Sequence, residues 1–183
     1  MDPTRESPTL RDWLLAILTA LAFLAVLLAV PYIASPAEIA RVVRVVDGDT
    51  IWVRGDKGSI LRVRIIGYDA PELENCVNHA LASFTKLILT ETLKMCRIAA
   101  EAKGYLSALV EGKEVMLIPD RENKDEYGRL LRYVRIEGKE VSADMLRLGY
   151  GRLMLIPPNT TMKAEYEAME RAAKEGREGV WEP

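Results

Sequence analysis

No charged side chain occurs between Asp12 and Glu38, and that gap divides the chain more sharply than any other feature. Within residues 13–33, Thr19 and Pro31 are the sole departures from an apolar set. A helix of about 20 such residues spans a hydrocarbon layer of about 30 Å and satisfies its own backbone hydrogen bonds. No polar stripe marks a solvent face, so a buried core helix is disfavoured. The expected organisation is therefore a tail at 1–12, a transmembrane anchor or signal segment at 13–34, and a folded domain at 38–183. Ser35-Pro36-Ala37 offers small residues for cleavage, but the apolar run is longer than a signal peptide's core and acids stand beside the bases at the amino end. A retained anchor in a lipid membrane, with the domain outside the cytoplasm, is the expectation, and secretion after cleavage the alternative. Arg5 and Arg11 on one side and Arg41 and Arg44 on the other leave the orientation undetermined. Cys76 and Cys96 are the two cysteines of the chain. In an exported domain such a pair is expected as a disulfide; two buried thiols are the alternative.

Charge is balanced, with 25 Lys and Arg against 27 Asp and Glu. That excludes a basic nucleic-acid-binding tail and disfavours an acidic disordered segment. The remaining length suits one compact domain and is too short for a TIM barrel. Residues 39–46 and 50–54 read as strands around Asp47-Gly48-Asp49, and Gly55-Asp56-Lys57-Gly58 reads as a hairpin turn. In 60–66, Leu61, Val63 and Ile65 alternate with Arg62 and Arg64, as in a sheet with one packed face. Residues 75–98 are expected to be partly helical. Ala102, Tyr105, Leu106 and Leu109 give 99–110 a helical stripe. Strands follow at 115–118 and 130–136, then helices at 141–148 and 162–174, the last with a hydroxyl as candidate cap. The pattern predicts an α+β domain: a five-stranded OB-type barrel with about three packed helices, preceded by the hydrophobic transmembrane helix.

Asp47, Asp49, Asp69 and Glu72 carry the chemical information. They flank strands that a barrel would bring side by side, and converging carboxylates repel unless a hard cation such as calcium or magnesium sits between them. Arg64, two residues from Arg62 on the same strand face, and Arg129, after Asp125-Glu126-Tyr127-Gly128, would point toward the same end. Arginine binds phosphate oxygens bidentately and stays protonated as charge develops. The plainer alternative is two ion pairs, Arg64 with Asp69 and Arg129 with Asp125, each worth about 0–1 kcal/mol at a surface.

VVDGDT at 45–50, RVRIIGYDAPE at 62–72, AAEAKGYLSALVEGKEVML at 99–117, DEYGRLLRYV at 125–134 and VSADMLRLGYG at 141–151 occur in that order. Together they resemble the staphylococcal nuclease (thermonuclease) family over residues 39 to about 176. The resemblance implies a calcium-dependent endonuclease, acting as a monomer on DNA and/or RNA. It implies Asp49, Asp69 and the Ala70 carbonyl as calcium ligands, with Asp47 and Thr50 behind them. Glu72 matches a general base, Arg64 and Arg129 the catalytic phosphate-binding arginines, and Tyr127 a tyrosine that reaches a terminal phosphate. Loss of the 5′ oxygen, leaving 3′-phosphates, is likewise implied.

Three departures qualify the resemblance. The segment 151–160 lacks the tyrosines that stack on a base, which are worth roughly 1–3 kcal/mol each. Glu126 stands where a lysine is common. An insertion at about 74–98 carries both cysteines and His79, whose spacing does not make a zinc set. The alternative function is a non-catalytic nucleic-acid-binding OB module of a membrane or surface protein.

Overall fold

A computed structural model of the chain describes residues 9–29, 36–55, 58–73 and 86–183. The chain divides into two units, Met1–Ala34 and Ser35–Pro183.

In the first unit α1 spans Leu10–Ala29. It begins early enough to take Arg11 and Asp12 into its first turn, and its uncharged part, 13–29, measures about 25 Å at 1.5 Å per residue. Among the described residues no helix is long and apolar enough to cross a membrane. This corrects the expected transmembrane segment at 13–34, and the lipid partner and membrane-anchored placement fall with it. Residues 30–35, which were to complete the span, lie outside the described residues.

The second unit is built on a mixed barrel. Apolar residues that alternate along β1 (Glu38–Val45), β2 (Thr50–Arg54) and β3 (Ile60–Ile65) point inward at Val42, Val45, Ile51, Val53, Val63 and Ile65, all buried. β1 pairs antiparallel with both β2 and β5 (Glu114–Ile118), and β5 pairs antiparallel with β6 (Leu130–Ile136). A parallel contact of β3 with β6, Val63 against Leu130 and Arg64 against Leu131, closes five strands into the barrel. The expected boundaries of these strands are matched to within a residue. Three short strands join them: β4 (Gly67–Asp69), β7 (Lys139–Glu140) and β8 (Arg152–Met154), with β4 and β8 forming a separate antiparallel pair.

Three helices belong to this unit: α2 (Lys86–Val110), α3 (Val141–Arg147) and α4 (Lys163–Gly176). With α1 they make four helices among the described residues. Helix α2 is continuous where a partly helical stretch and a separate helix were expected. Its Ile98, Ala102, Leu106 and Val110 are fully buried, so one apolar stripe runs through the expected junction. The bridge expected between Cys76 and Cys96 is corrected: Cys96, half-buried on α2, is a free thiol. Cys76 and His79 lie outside the described residues. Helix α3 starts with Glu140, whose carboxylate accepts the Ala143 N–H at 2.7 Å. Helix α4 lacks the expected hydroxyl cap. The Thr161 hydroxyl donates instead to Asp120, at 2.9 Å, and fastens the link before α4 to the end of β5.

Candidate functional site

The turn Asp47-Gly48-Asp49 is held on three sides. Val46 N–H donates to Thr50 O at 2.9 Å, Asp49 N–H donates to Asp47 Oδ1 at 3.3 Å, and the buried Tyr68 hydroxyl donates to Gly48 O at 2.7 Å. A Cβ on residue 48 would lie 2.6 Å from Ala70 Cβ and 3.1 Å from Ala102 Cβ, so glycine is required here by close approach. Asp49 is thereby placed on the barrel end with only 6% of its surface exposed. Its Oδ1 accepts the Thr50 hydroxyl at 2.9 Å and its Oδ2 the Ala70 N–H at 3.1 Å.

Arg64 lies directly across from Thr50 in the β2–β3 register. Its guanidinium forms an ion pair with Asp49 Oδ2 and reaches Asp69 Oδ1 at 2.7 Å and Tyr68 O at 3.1 Å. Burial pushes this guanidinium below its usual pKa, and the Asp69 carboxylate opposes that shift. Asp69 ends β4, past the parallel closure, and Pro71 turns the chain away so that Glu72 stands exposed at the rim.

Arg129 comes from a turn organised by Asp125. The Asp125 carboxylate accepts from Tyr127 N–H at 3.0 Å, Arg129 N–H at 2.9 Å and Arg129 Nε at 2.6 Å. Gly128, at φ 77°, closes the turn by donating to Asp125 O at 3.0 Å. The Arg129 guanidinium lies 5.4 Å from the centre of the Tyr127 ring, which is 74% exposed. Both ion pairs foreseen as the plainer alternative are therefore made. They are not isolated surface pairs, because both arginines face one cleft.

That cleft, about 400 Å³, is lined by Asp49, Arg64, Asp69, Glu72, Tyr127 and Arg129, among others. Asp47, Thr50 and Ala70 are not among its lining and instead hydrogen-bond to Asp49. Further lining residues were not foreseen. Asn159, 3% exposed, accepts from Glu122 N–H at 2.7 Å and donates to Glu122 O at 3.1 Å, pairing the link before α4 with the loop before β6. Its position after Pro157-Pro158 marked a rigid link but not a pairing. Met154 and Ile156 give the cleft an apolar side, in the segment where stacking tyrosines are absent. Glu122, Asp125 and Glu126 make its lining six carboxylates against two guanidiniums. An anionic ligand would be repelled from such a lining unless a cation accompanied it.

No group of three or more His, Cys, Asp or Glu side chains converges on one point among the described residues. Two do share a partner: Asp49 and Asp69 contact different terminal nitrogens of the one Arg64 guanidinium. Two hard oxygen donors, with backbone carbonyls and water to complete the shell, fit calcium chemistry.

Comparison with known proteins adds an independent line. A family model described as staphylococcal nuclease homologue matches residues 62–183. An uncharacterized protein of Methanocaldococcus jannaschii is 33% identical over 150 residues, covering 77% of this chain and 70% of that protein. The thermonuclease of Staphylococcus intermedius is 31% identical over 145 residues, covering 79% of this chain and 77% of the relative. Endonuclease YhcR of Bacillus subtilis is 29% identical over 142 residues, which are 75% of this chain and 11% of that enzyme. The match begins within β3 and takes in β4, the Asp125 turn and the elements that follow, and on it the chain belongs to the staphylococcal nuclease homologue family.

Proposed function

We propose that the cleft binds a nucleic-acid phosphodiester and hydrolyses it with the help of calcium. The observation that supports this most is the gathering of Asp49, Arg64, Asp69, Glu72 and Arg129 around one opening, drawn from three separate stretches of sequence. Family membership supports a nuclease-type hydrolase, and two relatives bear the name thermonuclease.

Asp49, Asp69 and the Ala70 carbonyl would hold the calcium, whose charge, when bound, offsets that of a phosphate oxygen and of the surrounding carboxylates. Arg129, held by Asp125 through Nε, keeps its terminal nitrogens for phosphate oxygens. Arg64 shares its guanidinium between Asp49 and Asp69, and would turn one edge to the phosphate as charge grows in the transition state. Glu72, exposed at the rim, would take the proton from an attacking water, an effect typically of about 10²–10⁴-fold. Tyr127, exposed beside Arg129, would meet a terminal phosphate at the open end. The 5′ oxygen would leave, giving 3′-phosphate products.

A second reading rests on the same ion pair. With Arg64 closed onto Asp49 and Asp69, the two carboxylates already have a cationic partner. A chain that kept this arrangement would bind nucleic acid without cutting it. Incubation of the full chain with supercoiled plasmid or single-stranded RNA, in calcium or in EGTA, separates the readings. Calcium-dependent cutting supports hydrolysis; retained binding without cutting in either condition supports the binding module.

A further inference from the structure

The outer face of β1, β2 and β3 carries a feature that the cleft does not use. Arg44 on β1 lies opposite Trp52 on β2, and Trp52 lies opposite Arg62 on β3, so one cross-strand row reads Arg-Trp-Arg. In the next row Arg41 faces Arg54. Strict alternation would send Arg41 and Arg44 to opposite faces. The bulge between Val42 and Arg44 adds one residue and puts both outside. All four arginines are exposed and Trp52 is partly so.

Arg41 is paired with Glu114 at 3.6 Å. Arg44, Arg54 and Arg62 have no ion-pair partner among the described residues. In a chain whose charges nearly cancel, this is a segregated basic surface with an indole at its centre. It also runs toward the cleft: Arg64 follows Arg62 on the same side of β3, about 7 Å further along at the usual rise of a strand.

We propose that this face is a docking surface for single-stranded nucleic acid, guiding a strand across β1–β3 into the cleft. The inference rests on the functional reading above and adds to it the part of the strand held outside the reacting phosphate. Neighbouring strands lie about 4.8 Å apart, so Arg44 and Arg62 flank Trp52 over about 10 Å. That spacing suits two phosphates on either side of one base stacked on the indole. Stacking requires an unpaired base, and the arginines supply a sequence-independent grip. The surface therefore selects single strands over duplexes.

The test uses the full chain and two probes: a fluorescein-labelled 12-nucleotide oligothymidine in EGTA, and adenosine 3′,5′-bisphosphate with calcium, which reports on the cleft. Arg44→Gln/Arg62→Gln should weaken the 12-mer about tenfold and flatten its salt dependence by about 1.4 in log–log slope, for two phosphates released. Trp52→Ala should weaken it at least about fivefold, and Trp52→Phe, which keeps a stacking ring, by less. Affinity for the bisphosphate should not change in any of them, which also shows that the variants are folded. Unchanged 12-mer affinity in the arginine variant, or a duplex competing as well as the single strand, overturns the proposal. So does a wild-type chain that binds the bisphosphate with calcium but not the 12-mer. If neither probe binds wild type, the functional reading itself fails, and this inference fails with it.

Discussion

Asp125 offers the sharpest separation between holding the site's shape and doing its chemistry. Its carboxylate accepts three hydrogen bonds, from Tyr127 N–H, Arg129 N–H and Arg129 Nε, and both members of the ion pair are largely shielded, with side chains 16% and 21% exposed. A neutral hydrogen bond contributes about 1 kcal/mol net and one to a charged group about 1.5–3 kcal/mol. All three bonds of Asp125 are of the charged kind, so removing them in Asp125→Ala costs about 4.5 kcal/mol at the low end of that range. Water in the open cleft recovers part of it, leaving an expected loss of about 2 kcal/mol. With the usual urea dependence, that moves the unfolding midpoint down by about 1 M. Asp125→Asn keeps an oxygen for both backbone donors and loses the ion pair, so it should cost about 1 kcal/mol or less. Both variants release the Arg129 guanidinium, and each should weaken adenosine 3′,5′-bisphosphate by about tenfold in the presence of calcium. Urea unfolding followed by circular dichroism and calorimetric titration read the two effects separately. An alanine variant as stable as wild type would refute the account of the turn. An asparagine variant with undiminished bisphosphate affinity would refute the claim that Asp125 positions Arg129.

Two other perturbations probe the frame. Gly48→Ala places a methyl group against Ala70 and Ala102 and should destabilise by about 1–3 kcal/mol, and Gly48→Ala/Ala70→Gly should recover part of that loss; additive costs in denaturant unfolding would show the contact to be unimportant. The Asp120 carboxyl is raised by burial, but hydrogen bonds from Tyr133 and Thr161 outweigh this and hold it below its usual 3.8. Its contribution to stability is therefore complete above pH 3.8 and is lost as pH falls through the lower folded value. Asp120→Asn should flatten the acid limb of the stability profile in that window, and an unchanged profile between pH 6 and 2 would contradict the assignment.

The barrel strands were legible because their apolar residues alternate, and the burial of Val63 and Ile65 beside Arg62 and Arg64 follows that alternation. Closure by a parallel β3–β6 contact carries no local signal. Strands β4 and β8, three residues each, are too short to display a period, although their pairing sets Asp69 opposite Arg152. Helix α2 was divided at Ile98 because Lys94 and Arg97 dilute its stripe. Both turn out to bind the far end of the chain, Lys94 to Glu182 O at 2.5 Å and Arg97 to the Glu182 carboxylate. The gathering of Asp49, Arg64, Asp69, Glu72 and Arg129 was legible from motifs, since each sits at a strand end or in a marked turn. Which side of the Arg64 guanidinium each acid occupies depends on barrel closure and could not be read. The apolar run of 13–33 and the paired cysteines misled for a common reason. Composition reports what a segment could do, whereas helix ends and the state of a thiol such as Cys96 are decided by the fold.

The central claim, that these residues form a calcium-dependent hydrolytic site, is tested most directly by measuring initial rates of plasmid and single-stranded RNA cleavage across a calcium titration. The full-length wild type would be compared with Glu72→Gln and Arg64→Ala. The account predicts cutting that saturates with calcium, disappears in EGTA, and falls by at least about 10²-fold in Glu72→Gln and in Arg64→Ala. Equal rates in wild type and both variants would contradict it.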